Sequence, residues 1–362
     1  MRRLVPALLA VAVAAAGAVA LVTVHRHHRS LADELPSLER FVEHERGLTF
    51  DHPPELRTWT REQAATSLGT KPSHYTTTLS AVLRAFGLTS SEDAYAEARG
   101  SGSTSYVGLY DNAGHLYVIG HTTDDAYSRS VLVHELTHAL DDQHFGLGDL
   151  RRAIRPQDLD RYDAELALIE GDAERVRNAY IAQLSPVDRR SFDAVLAKAR
   201  RPSTPIVRLE RAEVRWPYDT GAAFTQSLAD AGALDDAFAD QAFSTRDVLL
   251  RSTALPEEAP ADVLPAEGSS PLPSAVLGAH QLTVVTAAAA RTGEQDLVAR
   301  AWRGDEYGLT TGGTRDCVDL RLRVDPELEE PVRALLVRAG LTARPDGSDA
   351  GGALLQVHHC AS

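Results

Sequence analysis

The chain has 362 residues, 43% hydrophobic and 24% charged, a balance that fits folded domains with a sizeable core and excludes a disordered chain. Its formal net charge is −14, so no basic surface is implied and nucleic acid is excluded as a partner class.

Behind Arg2 and Arg3, Leu4 to Val24 carries no charge and is long enough to cross a bilayer. Ala18-Val19-Ala20 resembles a small-residue cleavage site. Residues 1–30 therefore read as a membrane anchor or as a signal removed after Ala20, with the anchor favoured. The flanking charges nearly balance, so the positive-inside rule does not choose an orientation. Both readings place the rest of the chain outside the cytoplasm, and His25, His27 and His28 flank the segment.

Leu35, Leu38, Phe41 and Val42 fall at helical spacing within Leu31 to Arg46, and Gly47 ends the run. A short strand is expected at Leu56 to Trp59. In YTTTLSAVLRAFG, Leu79, Val82, Leu83 and Phe86 share one helical face, stopped by Gly87. SYVGLYDNAGHLYVIG reads as a hairpin around Asp111-Asn112-Ala113-Gly114. Thr122 or Thr123 should cap the next helix, which carries VLVHELTHALDDQHFGL, Val131 to Leu147. A polar connection leads to a second strong helix, Tyr162 to Leu184, and further helices reach about Ser252.

Pro256, Pro260, Pro265, Pro271 and Pro273 mark a linker. Beyond it come helices to Trp302, a turn at the Arg-Gly-Asp of WRGDEYGL, and a strand at Cys317 to Val324. A helix at Pro326 to Ala339 and a strand at Ala353 to His359 complete the chain. The expected protein is α+β and mostly helical: a domain over 31–255, a linker over 256–274 and a C-terminal α/β unit over 275–362.

Cys317 opens one C-terminal strand and Cys360 closes the other. Parallel neighbours would hold them roughly 20 Å apart, beyond the about 7 Å that a disulfide spans between Cα atoms. Antiparallel neighbours would bring them together. A cysteine pair in an exported chain suggests one disulfide, where a cytosolic chain would keep two buried thiols, so a bridge between antiparallel strands is expected. His358 and His359, adjacent on a strand, point to opposite faces and read as a surface pair rather than a metal site.

His134 and His138 stand four residues apart and share one helical face, so they can grip one ion. Glu135 lies beside them, placed to take a proton from a metal-bound water. This is the H-E-x-x-H pattern, and two imidazoles and a carboxylate in an otherwise apolar helix are costly without a metal. Two segments offer a third ligand. His144 has the metzincin spacing, but Asp141 stands where that pattern needs glycine, and no methionine follows Met1 to make the methionine turn. His144 is therefore the minor candidate. On the next helix Leu166, Ile169, Ala173, Val176 and Tyr180 form an apolar stripe flanked by Glu165, Glu170 and Asp172. Periodicity does not choose among these three acids. Gly171 permits close approach of another backbone.

H-E-x-x-H followed on a later helix by Glu170-Gly171-Asp172-Ala173 resembles the gluzincins, zinc peptidases whose third ligand is a glutamate. In their aminopeptidase and leukotriene-hydrolase branch that glutamate stands in N-E-G-F-A. Pro217, Tyr218 and Gly221 resemble the P-Y-E-K-G that follows in the same branch. The resemblance covers about Leu116 to Phe238 and implies a zincin-like domain, with a small sheet including the 116–119 strand beside the active-site helix. It implies one zinc ion held by His134, His138 and Glu170, Glu135 as general base, and Tyr218 bonding the developing oxyanion. Glu174, four residues after the ligand, would orient a metal histidine, as in thermolysin-like members. Two departures stand out. The thirty-one residues between His138 and Glu170 exceed the spacing usual in that branch. The branch's G-x-M-E-N, whose glutamate binds a substrate's amino group, cannot occur without an internal methionine. The implied activity is thus cleavage inside a protein or peptide substrate. A non-catalytic binding or scaffold protein on the same frame, or a zinc hydrolase of non-peptide amides, is the alternative, and the intact Glu135 favours catalysis.

Overall fold

Ser30 and Asp33 cap each other's backbone N–H groups, and Gly47 in the left-handed region closes the far end, so α1 spans Leu31–Arg46 as its periodicity requires. The computed structural model describes residues 30–67, 73–90, 108–120, 125–148, 154–155, 157–199, 208–240, 242–254, 275–310 and 315–361. Strand β1 (Glu55–Trp59) leads into α2 (Arg61–Ser67) and α3 (His74–Ala85). The hairpin forms from β2 (Gly108–Tyr110) and β3 (His115–Ile119). Asp111 Oδ1 accepts from the N–H groups of Ala113 and His115, and Asn112 and Gly114 take the positive φ the turn needs. β1 pairs parallel and β2 antiparallel with β3, giving a three-stranded sheet in the order β1-β3-β2.

Helix α4 (Ala126–Phe145) crosses beneath this sheet. Its cap is Asp125, whose Oδ1 accepts from Ser128 N at 2.8 Å, rather than the expected threonines; Thr122 and Thr123 lie outside the described residues. Leu132, Val133, Leu136 and Leu140 pack against Leu38 and Val42 of α1, Leu116 and Val118 of β3, and Val176. Then come α5 (Leu159–Ala182), α6 (Pro186–Ala199), α7 (Arg208–Ala231), α8 (Leu234–Asp240) and α9 (Thr245–Leu250). Two glycines let α5 and α7 touch. A Cβ on Gly171 would lie 2.4 Å from the carbonyl carbon of Gly221, and one on Gly221 would lie 2.3 Å from the carbonyl oxygen of Ala167.

The proline-rich segment lies outside the described residues. Beyond it, α10 (Gly278–Thr286) and α11 (Leu297–Ala301) precede β4 (Trp302–Thr310) and β5 (Cys317–Val324). After a 3-10 turn come α12 (Glu329–Arg338), β6 (Thr342–Asp349) and β7 (Gly352–Cys360). The four strands form an antiparallel sheet ordered β4-β5-β7-β6. Its apolar face shares one core with Leu79, Val82 and Leu83 of α3 and Leu159 of α5. The fold is α+β, with helices around two small sheets.

Three further points differ from expectation. The Arg-Gly-Asp segment is strand, not turn: a bulge at Gly304 turns Asp305 inward, where it accepts from Leu277 N, Gly278 N and Trp302 Nε1. That inward carboxylate hides the alternation. Strand β6 was not expected at all; it is a polar edge strand, mostly exposed and interrupted at Pro345, with no apolar pattern to read. The third change is the single-pass membrane anchor. No helix among the described residues is long and apolar enough to cross a membrane, and residues 4–24 lie outside them, so the membrane topology is withdrawn.

Candidate metal centre

Helical periodicity puts His134 and His138 on one face of α4, turned toward α5. His134 Nε2 lies 3.1 Å from His138 Nε2 and 3.2 Å from Glu170 Oε2, and His138 Nε2 lies 3.4 Å from the same oxygen. Ligands about 2.0–2.1 Å from a tetrahedral ion lie about 3.3 Å from one another, so the triangle has the dimensions of one face of such a tetrahedron. Were both nitrogens protonated to bond Glu170, their N–H groups would face each other at 3.1 Å. One shared cation removes that conflict, so the residues fit a metal. Burial alone would raise the Glu170 carboxyl, but the facing His138 and His134 outweigh it and hold it well below the usual carboxylate range.

The neighbours of the triad come from four elements. Glu174, one turn along α5, places Oε2 3.7 Å from His134 Nδ1 and accepts from Arg177 at 3.0 Å. Its charge therefore faces the far side of the imidazole. Glu135 turns toward the sheet, where its Oε2 accepts from Tyr110 N at 2.9 Å. Gly108 makes this approach possible, since a Cβ there would lie 3.1 Å from Glu135 Cγ and from Val131 Cγ1. Tyr218, on α7, lays its ring alongside His134 with centroids 5.9 Å apart. The Gly171–Gly221 contact sets this arrangement, because Gly171 adjoins Glu170 and Gly221 lies one turn beyond Tyr218.

His144 is not with the triad. Helix α4 continues to Phe145, so His144 lies about 15 Å along the axis from His134. Its Nε2 bonds the Thr49 carbonyl at 2.9 Å instead. Asp141, where a metzincin turn would need glycine, is fully buried and pairs with Arg46 at 2.8 Å. Of the three acids flanking the α5 stripe, Glu165 is buried but is not one of the group formed with the histidines. Asp172 pairs with Arg46 at 2.7 Å and with Arg175 at 2.7 Å. Only Glu170 joins the histidines.

The cluster of Arg46, Asp141 and Asp172 ties α1, α4 and α5 together behind the site and was not legible in the sequence. Arg46 and Asp141 are 95 residues apart, and no local pattern links them. A scan against protein-family models found no match, and a search of curated proteins found none either, so the family resemblance rests on the motifs alone.

Proposed function

We propose that the protein is a zinc-dependent peptide-bond hydrolase of gluzincin kind, cutting within peptide chains. The observation that carries this reading is the convergence of His134, His138 and Glu170 at tetrahedral edge lengths, with Glu135 on the same helix. Two imidazoles and one carboxylate are the protein ligands of one class of catalytic zinc site, with a further position left for water or substrate. The ligand side chains keep 11–15% exposure, so the site is reachable from solvent. When bound, zinc supplies Lewis acidity, lowering the pKa of water and polarising a carbonyl.

The chain's own residues supply the rest. Glu135 takes the proton of the attacking water and delivers it to the leaving amine. The bond from Tyr110 N steadies one oxygen of that carboxylate, so that the other can carry the proton. The Tyr218 hydroxyl donates to the oxyanion as charge develops there. Glu174 places its negative charge behind His134, 3.7 Å from Nδ1, which favours the proton on that nitrogen and leaves Nε2 for the metal.

A peptide-library digest with metal-free and zinc-reconstituted protein tests the reading. Internal cleavage that requires zinc is expected. A library left intact by the zinc-loaded protein would mean a metal-binding protein without this activity.

A further inference from the structure

The polar face of the C-terminal sheet carries a second reactive group. In the β5–β7 register Cys317 stands opposite Cys360 and Asp319 opposite His358, and the two cysteines form a disulfide. The expected pairing is therefore present, in antiparallel neighbouring strands. Alternation sends Val318, Leu320 and Val357 into the core and leaves these four side chains on the other face, each at least partly exposed. His359 points the opposite way and stacks on Phe86. His358 Nδ1 lies 2.7 Å from Asp319 Oδ1, while its Nε2 lies 3.4 Å from Cys360 Sγ.

We propose that the Cys317–Cys360 disulfide is a thiol-exchange site, with Cys360 as the leaving thiolate and His358 as its acid–base partner. The Asp319 carboxylate fixes the N–H on Nδ1 and leaves Nε2 to exchange a proton with sulfur. An imidazolium beside a cysteine favours its thiolate, and a better-stabilised thiolate leaves faster. The exchange runs in two steps with a small-molecule dithiol as reductant. One thiolate of the dithiol attacks Cys317 Sγ; a mixed disulfide forms, the Cys317–Cys360 bond breaks, and its electron pair leaves on Cys360 Sγ beside His358. The second thiol then attacks the mixed disulfide, closing the oxidised dithiol and releasing Cys317 as a thiol. The protein disulfide is reduced by two electrons and the dithiol is oxidised by two. In the reduced chain, Cys360, His358 and Asp319 have the nucleophile, base and carboxylate order of an activated thiol.

The test follows reduction of the folded full-length chain by dithiothreitol, with iodoacetamide trapping and mass spectrometry, for wild type, His358→Gln, Asp319→Asn and the opposite-face control His359→Gln. His358→Gln should slow reduction about tenfold or more and Asp319→Asn several-fold, with the control unchanged. In reduced wild type, Cys360 should alkylate faster than Cys317, and this difference should vanish in His358→Gln. Equal reduction rates in wild type and His358→Gln overturn the proposal, as does a wild-type disulfide that resists dithiothreitol until the chain unfolds. Thermal midpoints of the oxidised variants separate a change in chemistry from a change in folding.

Discussion

Glu170 and Tyr218 reach the same imidazole from different helices, and different measurements separate what they do. On the proposed zinc reading Glu170→Gln removes an anionic ligand, so zinc affinity read by chelator competition should fall by about two orders of magnitude or more. His144→Ala should leave affinity unchanged, because that ring serves the Thr49 carbonyl at the end of α4. The opposite pattern, zinc lost with His144 and kept without Glu170, would reassign the third ligand. Tyr218→Phe removes one hydroxyl and keeps the ring against His134. Turnover should fall about 10- to 100-fold while the thermal midpoint holds. Turnover equal to wild type would return Tyr218 to a packing role. The histidines were legible because helical spacing alone puts residues four apart on one face. Glu170 was not legible that way, because α5 buries acids on several sides: Asp163, Glu165 and Asp172 are all buried. An apolar stripe cannot rank them, and the choice of Glu170 came from the resemblance.

At the scale of elements, the crossing of α5 and α7 makes the site possible. Gly171→Ala would put a methyl 2.4 Å from the Gly221 carbonyl carbon, so the helices must part. Stability should fall by about 1–3 kcal/mol, and zinc affinity should fall with it, since the neighbouring Glu170 moves. An unchanged unfolding midpoint with unchanged affinity would contradict this.

Helix α10 reaches the same two helices through a buried polar cluster. Gln281 donates to Asp163 of α5 and Glu213 of α7, and His280 Nε2 lies 3.5 Å from Glu213. Burial pushes the Asp163 carboxyl from 3.8 up to about 6, despite the nearby His280. A raised carboxyl binds more protons folded than unfolded, so it favours the fold at low pH, and this is lost as pH rises through the folded value. The loss between about pH 4 and 7 is on the order of 3 kcal/mol. Burial opposes charge on His280, but Glu213 and Asp163 outweigh it and raise its pKa above 6.5. Its contribution is likewise present below the unfolded value and lost as pH rises through the folded one. In urea titrations from pH 4 to 7, Asp163→Asn should therefore lose less stability than wild type; an equal or larger loss would contradict the assignment.

The whole molecule is held by contacts that span long stretches of chain. The disulfide closes a separation of 43 residues, and replacing both cysteines by serine should lower unfolding stability by about 2–4 kcal/mol. The two strands were readable as apolar runs, and their antiparallel pairing followed from the cysteines, Cys317 at the start of one and Cys360 at the end of the other. The union of the C-terminal sheet with α3 and α5 was not, because nothing local to Leu79 or Leu159 says which distant face covers it. Strand β4 was hidden for the same kind of reason, since Asp305 turns inward only because Leu277, Gly278 and Trp302 supply its donors. The proposed hydrolysis needs one ion and one proton carrier at the junction of α4 and α5. Metal content and peptide hydrolysis measured side by side for wild type and Glu135→Gln test this most directly. One equivalent of zinc is expected in both, with hydrolysis in the variant reduced at least about 100-fold. Wild type without stoichiometric zinc, or a Glu135→Gln variant that cleaves at the wild-type rate, would contradict it.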